Sequence, residues 1–170
     1  MFSRVMVATD GSVFGDAAVP VAADLAHAYH GTLDVVYVIP DPLIHLVATG
    51  PYSYSGPAED RAGREGGELA LRRSVAQALA LKLDGLKVEG RLFDGLTRDV
   101  ASSLTEAAAT LHAEVVVMST HGHGGLLKTL LGSVAERVLR QVRVPVLLIH
   151  PAHVAARTVF SGQLGTGATG

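Results

Sequence analysis

The sequence predicts a single-domain α/β protein, with a five-stranded parallel sheet in the order 3-2-1-4-5 and helices on both faces. Three observations predict it. Short apolar runs alternate with longer helical patterns through most of the chain, as a parallel sheet joined by right-handed crossovers requires. Two runs, Val5-Met6-Val7-Ala8 and Val115-Val116-Val117-Met118, are continuously apolar like strands buried on both faces, whereas Leu86-Lys87-Val88-Glu89-Gly90-Arg91-Leu92 alternates like a rim strand. With 170 residues, 48% hydrophobic and 18% charged, the chain can bury one sizeable core and does not call for two domains.

The elements follow in order. A first strand over Val5 to Ala8 leads to a helix from Asp16 to His30, with Pro20 near enough to its start to be tolerated and Gly31 where a left-handed cap is expected. The second strand, Leu33 to Val38, is followed by a variable stretch from residue 40 to 67 and a helix from Glu68 to Leu83, with Gly85 as its expected cap. Within that stretch the loop from Pro40 to Pro57 is long enough for a lid or an irregular excursion, and its Tyr52 and Tyr54 are candidates to stack on a base. A third strand, Leu86 to Phe93, precedes a helix from Thr97 to His112; a fourth, Val115 to Met118, precedes a glycine-dense loop and a helix from Ser133 to Val142. The last strand runs from Val144 to Ile149. Residues 1–150 form the domain, and 151–170, rich in glycine, serine and threonine, read as a flexible tail.

In this order the winding direction reverses between strands 1 and 4, and open α/β sheets bind ligands outside the strand C-termini at such a reversal. The loops after Ala8 and Met118 flank that crevice. The same order puts the apolar run Val144-Pro145-Val146-Leu147-Leu148-Ile149 at a sheet edge, where exposed apolar strands invite pairing. We expect a two-fold homodimer through this strand; the alternative is that the tail folds back over it.

Composition narrows the function. Cysteine is absent, which excludes disulfides, thiolate metal sites and thiol nucleophiles. A net charge of −2 provides no global field for nucleic acid, and Arg61, Arg64, Arg72 and Arg73 are interleaved with Glu59, Asp60, Glu65 and Glu68 like a solvated helix face. The N-terminal run meets a charge too early for a signal peptide, and no apolar run approaches the roughly 18 residues of a membrane span, so a cytoplasmic protein without membrane contact is expected.

The chemistry concentrates in Met118-Ser119-Thr120-His121-Gly122-His123-Gly124-Gly125 and in Gly132-Ser133-Val134-Ala135-Glu136. Two readings are open. Glycines let backbone amides approach an anion and a helix N-terminus presents unpaired N–H groups, which suits a phosphate. Alternatively, Ser133-x-x-Glu136 is a capping box that satisfies the helix start by itself. The loop has neither the Gly-Lys-Ser/Thr ending of a P-loop nor G-x-G-x-x-G spacing. His121 and His123 have no apparent third ligand and no H-E-x-x-H accompanies them, so no protein-ligated metal is expected; His27, His30, His150 and His153 read as surface residues.

These residues resemble the universal stress proteins, whose ATP-binding members carry G-x-x-G-x9-G-[S/T] between strand 4 and helix 4. Here that pattern reads Ser119-Thr120-His121-Gly122, nine residues, then Gly132-Ser133. The matching blocks run from Val5-Met6-Val7-Ala8-Thr9-Asp10-Gly11-Ser12 through Val115–Gly122 to Gly132–Leu139 and Val144–Leu147. The resemblance implies a Rossmann-like fold of the adenine nucleotide alpha hydrolase-like type, and an ATP-binding regulator or sensor. It implies that Asp10 contacts the ribose, although a cap for the first helix shared with Ser12 explains the same residue. Ala8 and Thr9 would line the base pocket, and backbone groups of Val38 would meet the adenine edge. The phosphates would lie on the amides of Gly122, Gly132, Ser133 and Val134, walled by Met118, Ser119 and His121.

Ser119 stands where the ATP-binding pattern has its first glycine. A positive φ there would cost serine on the order of 1 kcal/mol, whereas close backbone approach alone is compatible with a Cβ. No Ser-His-Asp arrangement has positional support, and no acid in the glycine loop is placed to position water or bind Mg²⁺. Slow or no hydrolysis is therefore expected, with Mg²⁺ or Mn²⁺ held mainly by the triphosphate. The rivals are a nucleotide-free dimeric interaction module of the same fold and an adenine-nucleotide hydrolase; the Ser-Gly-Gly-x-Asp-Ser of related ATP pyrophosphatases is replaced here by Thr9-Asp10-Gly11-Ser12.

Overall fold

A computed structural model describes residues 2–41, 57–95, 99–120 and 131–150, with side chains of the helix beginning at Pro57 described from residue 61. The elements are β1 (Arg4–Thr9), α1 (Val13–Asp16), α2 (Ala18–Ala28), β2 (Thr32–Ile39), α3 (Pro57–Ala80), β3 (Lys87–Asp94), α4 (Val100–Thr110), β4 (Val115–Ser119), α5 (Ser133–Gln141) and β5 (Val146–Ile149). All neighbouring strands are parallel and the sheet order is β3-β2-β1-β4-β5, as the alternation and strand character predict. Two apolar layers sandwich the sheet. Val5, Val7, Leu33, Val35, Val115 and Val117 face α2 and α3, while Met6, Ala8, Val36, Val38, Val116 and Met118 face α4 and α5. The α2 face is built from Ala18, Val19, Ala22, Ala23 and Ala26, small side chains at helical spacing that let the helix lie close to the strands.

Several elements differ from expectation for identifiable reasons. The first helix is in two pieces: Ser12 caps α1 by accepting from the Gly15 amide at 2.9 Å, and Ala17 separates it from α2. Pro20 is accordingly in the first turn of α2. The left-handed residue after α2 is His30 (φ 52), not Gly31; the Gly31 amide bonds the Ala26 carbonyl at 2.8 Å in a Schellman-type end. Gly31 serves close approach instead, since an added Cβ would lie 2.6 Å from the Ser3 carbonyl oxygen. Gly85 does have positive φ (74), but in the turn before β3; the residue that leaves the α3 helix left-handed is Lys82 (φ 51).

The largest difference is at α3, which starts at Pro57, well ahead of Glu68, so the later part of the stretch expected to be variable is helical. Proline suits a helix's first position. Gly63, Gly66 and Gly67 obscured the helix, each lowering intrinsic propensity by about 1 kcal/mol against alanine. Only Gly67 has a packing reason, as its added Cβ would meet the Tyr37 ring at 2.9 Å; nothing lies within 4 Å of one at Gly63 or Gly66. We expect Gly63→Ala and Gly66→Ala each to stabilise the chain by up to about 1 kcal/mol and Gly67→Ala to destabilise it, read by chemical denaturation. Tyr52 and Tyr54 lie outside the described residues.

At the other rim, β5 forms the edge expected, with Leu147 38% exposed and Val146, Leu148 and Ile149 partly so. The tail that was the alternative cover lies outside the described residues. Among the described residues no helix is long and apolar enough to cross a membrane.

Candidate functional site

The crevice forms where β1 and β4 pair side by side, with Ala8 opposite Met118, and their C-terminal ends diverge to different layers. At the end of β1 the chain makes a tight turn. Thr9 is buried and its hydroxyl is committed inward, donating to Asp16 Oδ1 at 2.6 Å and accepting from the Gly11 amide at 3.0 Å. Gly11 has φ +72, the left-handed conformation glycine adopts without strain. What Thr9 offers the crevice is therefore backbone and methyl rather than hydroxyl. Asp10 Oδ1 accepts from the Ser12 amide at 3.0 Å and the Ser12 hydroxyl at 2.6 Å. Capping and ligand contact are thus not exclusive for Asp10: Ser12 is the cap, and Asp10 orients it.

On β2, Val38 lies one residue past Tyr37, the last residue paired with β1, while its other edge remains registered with Phe93 of β3. Its backbone is thus at the crevice end of the strand. Tyr37 is a neighbour that sequence reasoning missed. Burial first, and the charge of Asp10 second, push its phenol above the usual value. The charge coupling brings Tyr37 into the electrostatic field of the Asp10 turn.

Ser119 is the last residue of β4, paired with Ile149, and the described residues with positive φ do not include it. The positive φ that would have cost serine is not required at this place. Thr120 follows, donating its amide to the Ile149 carbonyl at 2.9 Å and accepting from the Gly132 amide at 2.7 Å. This clasp ties together the two ends of a segment, 121–130, that lies outside the described residues; His121 and Gly122, with His123, Gly124 and Gly125, fall within it. The Gly132 amide, an expected phosphate donor, is used inside the fold; of the others, Ser133 and Val134 stand at the helix start and Gly122 lies outside the described residues.

The helix start bears on the capping reading of Ser133. Gly132 is the N-cap (φ −70, ψ 150), Ser133 is already helical, and among the described residues no side chain caps the end. The capping box is therefore not formed; Glu136 pairs with Arg140 at 2.9 Å instead. Ser133 and Val134 are first-turn residues, whose amides have no intrahelical acceptor. The orientation of α5 is fixed from α4. Asp99 caps α4 through the amides of Ala101 (3.0 Å) and Ser102 (3.1 Å) and meets Arg137 of α5 at 2.8 Å. Burial works against the Asp99 charge, yet hydrogen bonds from the Ser102 hydroxyl and amide, the Arg137 charge and the Ala101 amide hold its carboxyl below the usual range. The Asp-x-x-Ser pattern at residues 99–102 is a capping signal that would have shifted the helix start from Thr97.

The crevice therefore collects Asp10, the end of β2 at Val38, the β4 exit at Ser119 and the open start of α5. It has a carboxylate suited to hydroxyl donors on one side and, on the other, first-turn amides without intrahelical acceptors, suited to an anion.

Comparison with known proteins gives this arrangement its relatives. The model of the Universal stress protein family matches residues 1–150. A universal stress protein of Methanocaldococcus jannaschii is 29% identical over 150 residues, covering 88% of this chain and 82% of its own length. Among solved structures, a universal stress protein in complex with cAMP matches with a TM-score of 0.59 at 24% identity, over 89% of this chain and 99% of its own. The universal stress protein of Archaeoglobus fulgidus in complex with dAMP matches with a TM-score of 0.60 at 20% identity, over 88% and 99%. At those identities the two structures speak for the fold. With the family match spanning all five strands and both sides of the crevice, the chain belongs to the universal stress protein family.

Proposed function

We propose that this protein binds ATP in the β1–β4 crevice as a regulatory or sensory ligand rather than as a substrate for rapid turnover. The observation that carries the reading is the start of α5. Among the described residues it opens without a side-chain cap, and the Gly132–Thr120 bond sets it at the exit of β4, the strand that pairs beside the β1 end from which Asp10 follows. Relatives of the same fold hold cAMP and dAMP, which supports an adenine nucleotide as the ligand class.

In this reading Asp10 accepts from ribose hydroxyls, backbone groups of Val38 meet the adenine edge, and Ala8 with Thr9 borders the base. Phosphate oxygens lie against the amides of Ser133 and Val134 at the positive end of the helix dipole. Mg²⁺ or Mn²⁺ accompanies the nucleotide, held mainly by its phosphates. Hydrolysis is slow or absent: Asp10, the carboxylate placed at the crevice, is occupied with Ser12 and directed at the ribose side. The working form is a homodimer joined along β5, where Leu147 and its neighbours present apolar surface at a strand edge that has no partner among the described residues.

Thermal denaturation with and without nucleotide is the test. ATP with Mg²⁺ at about 100 times its dissociation constant is expected to stabilise the chain by roughly 2.7 kcal/mol. No shift at millimolar ATP would overturn the proposal, and steady-state turnover near ~1 s⁻¹, in the range of ordinary enzymes, would overturn the regulatory reading.

A further inference from the structure

We propose that Asp16, Ser74 and Arg73 form a positioning relay through which α3 sets the turn carrying Asp10; the inference rests on the reading that Asp10 receives the ribose of a nucleotide. Asp16 is a carboxylate with only 9% of its surface exposed, beneath the crevice rather than in it. It accepts from the Thr9 hydroxyl and from the Ser74 hydroxyl, each at 2.6 Å, and its other oxygen lies 3.8 Å from Arg73 Nε. Ser74 and Arg73 are adjacent on α3, more than fifty residues away in sequence.

Both polar backbone groups of Gly11 end in this relay. Its amide donates to Thr9 Oγ1, the same hydroxyl that donates to Asp16, and its carbonyl accepts from the Arg73 guanidinium. Ala70, one turn before Ser74, packs onto the turn so closely that an added Cβ at Gly11 would lie 2.5 Å from its methyl. The peptide following Asp10 is thus gripped at N–H, C=O and Cα from the α3 layer. Asp10 itself is held on the other side by Ser12. A buried carboxylate is a costly way to anchor a helix, because an apolar contact of the same shape needs no desolvation of charge. A directional chain of hydrogen bonds does what apolar packing cannot: it fixes the angle at which the Asp10 turn leaves β1. Asp16, Ser74 and Arg73 act through Thr9 and Gly11, and touch no ligand themselves.

The test is a double-mutant cycle on the full chain, with Mg·ATP affinity measured by calorimetry and Gly11 amide exchange measured by NMR. Ser74→Ala and Arg73→Met, the latter at a partly exposed side chain that tolerates change, are each expected to weaken ATP about tenfold. In an Asp10→Ala background Ser74→Ala is expected to weaken it no further, because the relay has lost what it positions. The same loss in both backgrounds would mark Ser74 as a general structural anchor and overturn the proposal, as would unchanged affinity in both single variants. Ser74→Ala is also expected to raise Gly11 amide exchange about tenfold relative to Val7 in β1. Where ATP binding is too weak to measure in the Asp10→Ala background, that ratio decides, and an unchanged ratio overturns the relay. Absence of ATP binding in the wild type would instead overturn the nucleotide reading, with the Gly11 ratio still judging the relay.

Discussion

Gly15→Ala is expected to weaken ATP binding by about tenfold or more with only a modest loss of stability, on the order of 1 kcal/mol. An added Cβ at Gly15 would overlap Asp10 Oδ1 and lie 3.1 Å from its Cγ and 3.2 Å from its backbone nitrogen. The backbone cannot retreat, because Asp10 is at the end of β1 and Gly11 is held on both sides, so the carboxylate must swing away. That breaks the two hydrogen bonds it accepts from Ser12 and removes it from the ribose position. Each lost bond to a charged acceptor is worth about 1.5–3 kcal/mol where it is not replaced by water, and here water replaces part of it. Alanine in a helix gains up to about 1 kcal/mol over glycine, which offsets much of the loss in stability but none of the loss in ligand contact. Calorimetric titration beside a thermal melt separates the two quantities. Affinity equal to wild type would show that Asp10 does not face the ligand.

Gly31→Ala is expected to have the opposite profile, with a loss of about 3 kcal/mol of stability, roughly 10 °C in melting temperature. Its added Cβ would lie 2.6 Å from the Ser3 carbonyl oxygen and 2.8 Å from both Ser3 C and Cα. All three are backbone atoms, so no rotamer change relieves the overlap. Ser3 also accepts the Thr32 amide at 2.8 Å, just ahead of the Arg4–Thr32 pair that opens the β1–β2 ladder. Relief must therefore open the start of the central strand pair. Chemical denaturation measures the loss, and a change below about 0.5 kcal/mol, the ordinary scale of a surface substitution, would show that the chain entering β1 shifts freely.

The two substitutions bear on what the amino-acid order reveals. Five apolar runs and four helical intervals were legible because burial imposes a period on the chain: Val115 to Met118 is apolar throughout since both faces of β4 are covered, and β3 alternates because it is a rim. The sheet order followed from the rim character of β3 together with a βαβαβ half winding one way and the last two strands winding the other, and the crevice followed from the order. The motif around Gly132-Ser133 was legible for the same local reason, since a loop and a helix start are adjacent in sequence. The first eleven residues of α3 were not, because glycines there mask a helix held partly by contacts to β2 and β3, among them the Arg64–Asp94 pair at 2.7 Å.

By itself, then, the sequence determined the strands, their order and the loops that border the crevice, all of which are set by local periodicity and short-range chemistry, and its matching blocks carried the resemblance to the family. Tertiary structure alone decided which groups in those loops are still available. The Gly132 amide goes to Thr120, the Thr9 hydroxyl goes to Asp16, Ser133 is left uncapped, and Ser119 needs no glycine because strand pairing extends through it. Each outcome depends on a partner distant in sequence or on a backbone angle. A hydrogen-bonding group has few partners to give, and which one it takes is settled only when the chain has brought them together.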